Sequence, residues 1–224
     1  CGIILTRDVF NLFVFVELSV IATAGLILLS EDVRALGSGL KYLVIGQLVS
    51  ILFLIGIIFA YHASGSLNID SMSESSMMML KGGSLAFFLM LIALIIEIKP
   101  FPANGWALDI YESAHPAFSA IFSAAMAGAA AVFAVDKLLL IGGHQWLPIV
   151  TSIGLLSFVV ANLFALPQTN DRRTLGYSSV GQVGLILAVI GQQAILGDSY
   201  PFIAGGIILA HSVGQAGCDW IGGL

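Results

Sequence analysis

Long apolar runs alternate with short polar links along the chain, and no run shows the one-in-two alternation of a half-buried strand. Seven apolar segments can be marked, at 9–29, 41–63, 84–98, 117–141, 147–166, 175–196 and 201–216; the third continues past a proline-rich break to about residue 114. A helix needs about 20 apolar residues to cross a bilayer. Backbone donors and acceptors cannot go unpaired in lipid, so runs of this length are predicted to be helices. A membrane barrel would instead show alternating segments of about 10 residues. The pattern predicts an all-α, polytopic membrane bundle of about seven transmembrane helices, one of them broken near 99–102, with residues 1–224 forming a single transmembrane domain.

The links fall at 30–40, 65–83, 142–146, 168–174 and 197–200. They place Arg34, Lys41, Arg172 and Arg173 on one side, and Arg7, Lys81 and Lys137 on the other. Four basic residues against three favour the first side as cytoplasmic. Glycine-rich stretches at 142–143, 181–184 and 205–206 follow no strand, so they read as close helix packing and not as phosphate-binding loops.

Composition agrees with lipid as the main solvent. Of 224 residues, 58% are hydrophobic and 9% charged, where a soluble domain carries about 25% charged residues. The net charge of −5 forms no basic or acidic tract, which gives no basis for nucleic-acid binding. Cys1 and Cys218 lie in no CxxC or Cys/His cluster, so neither a metal nor a redox cofactor is expected to be held by this chain alone. The chain starts at a cysteine with no basic leader before an apolar run, and it reads as an internal piece of a longer protein.

The informative residues are polar groups inside the apolar runs, because an ionisable side chain in hydrocarbon costs several kcal/mol. Glu17 is mid-segment in FVFVEL, with no local counter-ion; a carboxyl there is suited to taking up and releasing protons. Glu97 and Lys99 precede Pro100 and Pro102, which remove two backbone donors and should break the helix. Broken membrane helices are tolerated where they line a polar path. Two residues apart, Glu97 and Lys99 point to roughly opposite faces and do not simply pair with each other. His211, in the seventh segment, suits proton shuttling. Lys41, Asp109 and Lys137 are accessory candidates near segment ends. Each group also admits a structural reading: a carboxyl or imidazole bonded to a neighbouring helix, or Glu97 and Lys99 reaching to the membrane edge.

Several stretches resemble a known family in order: 13–18 (FVFVEL), 41–46 (KYLVIG), 102–109 (PANGWALD), 119–126 (SAIFSAAM), 172–179 (RRTLGYSS) and 210–211. The chain is similar to the antiporter-like membrane subunits of respiratory complex I, Mrp-type cation/proton antiporters and membrane-bound hydrogenases. The resemblance runs from about residue 8 to 216 and implies a central portion of such a subunit, from the family's fifth helix to its eleventh. It implies that Glu17 matches the essential fifth-helix glutamate, that the third segment matches the broken seventh helix, and that His211 matches a central histidine. In the family these groups form a hydrated axis along the membrane centre.

Some positions depart from the family pattern. Glu97 stands where the family has a lysine nine residues before the tryptophan, with Lys99 two residues later. No ionisable group stands at 127–128, Asn104 replaces a histidine, and Leu108 replaces a proline. The resemblance implies proton translocation in the cell (plasma or inner) membrane, with other membrane subunits as partners. Redox chemistry would lie in those partners, as in an NADH-quinone oxidoreductase, with no catalytic redox site in this chain. An Mrp-type Na⁺/H⁺ antiporter subunit and a non-conducting structural subunit are the alternatives.

Overall fold

Polar residues in the links act as helix stops and starts. Asp8 accepts a hydrogen bond from the Asn11 amide across 2.8 Å, and Asp32 accepts one from the Arg34 amide across 2.8 Å. Asn170 caps the amides of Arg172 and Arg173, and His115 caps Ala117 ahead of Pro116. Short polar side chains fill this role because the first amides of a helix have no partner within it. Gly65, at φ 69°, ends the longest helix in the left-handed conformation that glycine adopts without strain.

The computed structural model describes residues 2–29, 32–74, 81–123 and 131–221. The helices are α1 (Gly2–Leu5), α2 (Val9–Leu28), α3 (Val33–Ser64), α4 (Ile69–Glu74), α5 (Gly83–Glu97) and α6 (Gly105–Ser113). They continue as α7 (Pro116–Ile121), α8 (Ala131–Gly142), α9 (Leu147–Ala165), α10 (Asp171–Ile190), α11 (Gln193–Leu196) and α12 (Tyr200–Ile221). Among the described residues, five helical stretches are long and apolar enough to cross a membrane: Val9–Leu28, Val33–Ser64, His144–Ala165, Asp171–Ile190 and Gln193–Gln215. Of the other two expected segments, the third is broken into α5 and α6, and the fourth holds α7 and α8, with 124–130 between them outside the described residues. The expected absence of a lysine at 127–128 falls outside the described residues.

Two links differ from the sequence reading. Most of 30–40 is the start of α3, because Asp32 caps the helix eight residues ahead of the apolar run. At about 1.5 Å per residue, the 32 residues of α3 exceed the bilayer core, so its first turns carry Arg34 and Lys41 at the bundle end. Within 65–83, α4 forms a short helix. Backbone bonds from Val9 to Leu67 and from Ile69 to Arg7, both 2.9 Å, tie that link to the start of α2.

Small residues set the closest packing. A Cβ on Gly154 of α9 would lie 2.4 Å from the Ala188 amide nitrogen of α10, and one on Gly184 would lie 2.8 Å from the Gly154 carbonyl. Gly142 packs on Phe87, Gly46 on Val20 and Gly56 on Met90. Hydrophobic attraction is weak between helices in lipid, so such close backbone approach supplies much of the association. Gly205 and Gly206 differ from the expected close packing: their missing side chains would meet open space. Large apolar side chains such as Val44, Ile58, Leu163 and Val213 stand exposed on outer faces, as contact with lipid allows.

Candidate functional site

The break between α5 and α6 organises the buried polar groups. Lys99 follows the last turn of α5 in the left-handed region at φ 59°, and the Phe101–Pro102 peptide is cis. Pro100 and Pro102 bring no amide hydrogen. The freed backbone is partly held from outside: the Phe101 amide donates to Ser157 Oγ of α9 across 3.1 Å. α5 thus ends inside the bundle, with its negative dipole end beside Lys99.

Lys99 is 0% exposed, so it does not reach to the membrane edge. Its ammonium donates to Tyr111 Oη across 2.5 Å and to Ser179 Oγ across 3.1 Å. It also lies 4.6 Å from the centre of the Tyr111 ring and 4.9 Å from that of Phe122. Hydrogen bonds to a charged group contribute about 1.5–3 kcal/mol each, and a desolvated cation–aromatic contact about 2 kcal/mol. Together these match in order of magnitude the several kcal/mol that burying an ammonium costs.

Glu97 is 7% exposed and turns the other way. Its Oε1 accepts from Tyr42 Oη of α3 across 3.1 Å, while Oε2 has no hydrogen-bond partner among the described residues. The opposite orientation expected for two residues two apart is what the structure shows. Tyr42 is stacked on Trp106 with ring centres 5.1 Å apart. Trp106, Phe122 and Tyr111 pack edge to face around the same point.

Glu17 is half-buried on α2. Its carboxylate accepts from Gln47 Nε2 of α3 across 2.8 Å and from Ser50 Oγ of α3. Both partners are neutral, so the carboxylate is held by hydrogen bonds and not by a cation. Tyr42 and Glu97 lie within Coulombic range of this carboxyl, and Glu97 lies within that range of Lys99.

His211 of α12 is 3% exposed. Its Nδ1 lies 2.5 Å from Gln182 Oε1 of α10, and its Nε2 has no hydrogen-bond partner among the described residues. Lys99 is within Coulombic range of this ring. Glu17, Glu97, Lys99 and His211 therefore belong to one row of polar groups running from α2 to α12. Sequence reasoning missed Tyr42, Gln47, Ser50, Tyr111, Ser179 and Gln182. These are neutral side chains that carry no conspicuous cost in an apolar helix, and the clue to two of them was their position one turn apart on the face of α3 that meets Glu17.

The accessory candidates lie elsewhere. Lys41 pairs with Asp109 at 2.7 Å, and Arg173 pairs with Glu112 at 2.6 Å and with Asp109 at 3.7 Å. This partly exposed cluster lines a cleft with Arg34 and Arg172 at one bundle end. It gathers the basic residues that the sequence placed on one side. Lys137 donates to the carbonyls of Ile3, Ile4 and Thr6, holding the end of α1.

Residues 6–211 match the family model described as NADH:quinone oxidoreductase/Mrp antiporter, TM. The chain is 33% identical over 199 residues to an NADH-quinone oxidoreductase subunit N from Rubrobacter xylanophilus, covering 86% of this chain and 41% of that protein. It is 33% identical over 185 residues to an NAD(P)H-quinone oxidoreductase subunit 2 from a Synechococcus species, covering 78% of this chain and 35% of that protein. The chain thus spans less than half the length of these relatives. Among solved structures, it is similar to a chain of the Mrp complex from a Dietzia species, with TM-score 0.86 and 25% identity over 96% of this chain and 41% of that one. A chain of the archaeal membrane-bound sulfane sulfur reductase gives TM-score 0.84 and 30% identity over 96% of this chain and 45% of that one.

Proposed function

Since the chain belongs to the NADH:quinone oxidoreductase/Mrp antiporter membrane family, we propose that it translocates protons as an antiporter-like subunit of a redox-driven complex. The observation that carries this reading is Lys99, fully buried at a helix break. Groups of this kind in membrane proteins serve pathways and relays far more often than packing. Glu17 is the proton-binding carboxyl, and its affinity depends on the charge at Glu97 and Lys99. A tenfold change in proton affinity corresponds to about 1.4 kcal/mol, and a unit charge several ångströms away inside a protein supplies that much. His211 passes the proton along the row.

The energy would come from redox chemistry in partner subunits, in an assembly such as a complex I-type NADH-quinone oxidoreductase or a related hydrogenase, within the plasma or inner membrane. The test is Glu17→Gln in the full-length subunit within its complex, reconstituted in vesicles. Assembly should persist while proton translocation is lost. Normal pumping by that variant would refute the assigned role. If neutralising Glu17, Glu97 and Lys99 together leaves proton flux unchanged, the subunit is a non-conducting scaffold.

The likeness to a chain of an Mrp complex favours a second reading, an Mrp-type Na⁺/H⁺ antiporter subunit. Sodium dependence of transport, measured with and without a redox donor, separates the two.

A further inference from the structure

The relay as described leaves a gap between Lys99 and His211, and α10 spans it. Ser179 and Gln182 are three residues apart, so they lie on one face of this helix, a single turn from each other. Ser179 accepts from Lys99 and lies 2.8 Å from Tyr111 Oη, with Ser123 Oγ at 3.4 Å. Lys99, Ser179 and Ser123 are each 0% exposed, and Tyr111 is 1% exposed. Gln182 holds His211.

We propose that Ser179 and Gln182 are positioning residues for proton hand-over between Lys99 and His211, a role that rests on the proton-translocation reading. An amide oxygen only accepts, so the 2.5 Å contact to Gln182 Oε1 places the histidine proton on Nδ1. Nε2 is then a lone-pair acceptor, buried and without a hydrogen-bond partner among the described residues. On the other side, the Lys99 ammonium donates to both Tyr111 and Ser179. These two hydroxyls share a single hydrogen between them, so the other hydroxyl hydrogen is left to donate onward. In the transfer an N–H bond of the ammonium breaks, a proton moves along the hydroxyls to a water entering between them and His211, and an N–H bond forms at Nε2 as that water gives up a proton. Lys99 becomes a neutral amine and His211 an imidazolium. Release of the Nε2 proton restores the starting tautomer, since Gln182 keeps the Nδ1 proton in place, and a proton arriving from the Glu17 end of the row recharges Lys99. No oxidant or second substrate takes part.

The experiment uses the full-length subunit in its complex, with Glu17→Gln, Ser179→Ala and Gln182→Met compared by proton uptake into vesicles. Glu17→Gln removes the titratable group but keeps a polar one, while Ser179→Ala and Gln182→Met each remove one polar group; all three keep a residue tolerated in a helix. Ser179→Ala and Gln182→Met are expected to slow uptake about tenfold or more, the usual range for losing a group that orients a functional side chain. Nitrogen-15 spectra of histidine-labelled protein should show His211 protonated on Nδ1 in the parent and a mixture of tautomers in Gln182→Met. A parent-like histidine spectrum in Gln182→Met overturns this inference. So does parent-like uptake by both α10 variants where Glu17→Gln is inactive, an outcome that leaves the broader reading standing. Uptake by Glu17→Gln removes that broader reading, whatever the histidine spectrum shows.

Discussion

Tyr42 Oη donates to Glu97 Oε1 across 3.1 Å, joining α3 to the last turn of α5 at the helix break. The same phenol ring is stacked on Trp106, so its position is set by packing and its hydroxyl is a separate, removable part. Tyr42→Phe should keep the stack and lose only the donor. The expected stability loss is about 1 kcal/mol, read by thermal unfolding in detergent. Proton translocation should fall clearly more than stability, because Glu97 then loses its only hydrogen-bond donor among the described residues. Equal, small changes in both would make the contact structural.

Lys99 offers a sharper separation of charge from shape. Lys99→Met keeps a long flexible chain against the Tyr111 and Phe122 rings but removes the ammonium. Tyr111 and Ser179 still bond to each other across 2.8 Å. The variant should assemble at near-parent stability and lose translocation. Lys99→Ile should be less stable than Lys99→Met by about 1–3 kcal/mol, because φ is 59° here and a β-branched residue is strained in that region. Unfolding midpoints of the two variants check this directly.

How far these features were readable in the chain depends on cost. Glu17, Glu97, Lys99 and His211 stood out because a charge in an apolar run is expensive, and Pro100 with Pro102 marked the break beside two of them. Tyr42, Gln47, Ser50, Tyr111, Ser179 and Gln182 were silent. A neutral polar side chain costs little in a helix, and its role exists only once another helix is placed against it. The start of α3 was hidden for a related reason: Gly37, Ser38 and Gly39 look like a link until Asp32 is seen as the cap. Gly205 and Gly206 were over-read, because composition reports small side chains and not whether anything approaches them.

The helix contacts give a paired prediction. A side chain at Gly184 must displace the backbone of α9, so Gly184→Leu should destabilise by at least the 1–3 kcal/mol typical of overpacking. Gly205→Ala lies in α12 over open space and should be neutral or stabilise by about 0.5–1 kcal/mol, through a smaller loss of chain entropy. Thermal unfolding of both variants, in the same detergent, tests the packing without reference to transport.

The neutral company of Glu17 has a mechanical consequence. A hydroxyl can give or receive a hydrogen, so Ser50 can face the carboxylate as a donor and the carboxylic acid as an acceptor. Gln47 can bond the remaining oxygen in both cases. The clasp between α2 and α3 therefore holds whether or not a proton is aboard, and this junction can load and unload without the two helices parting.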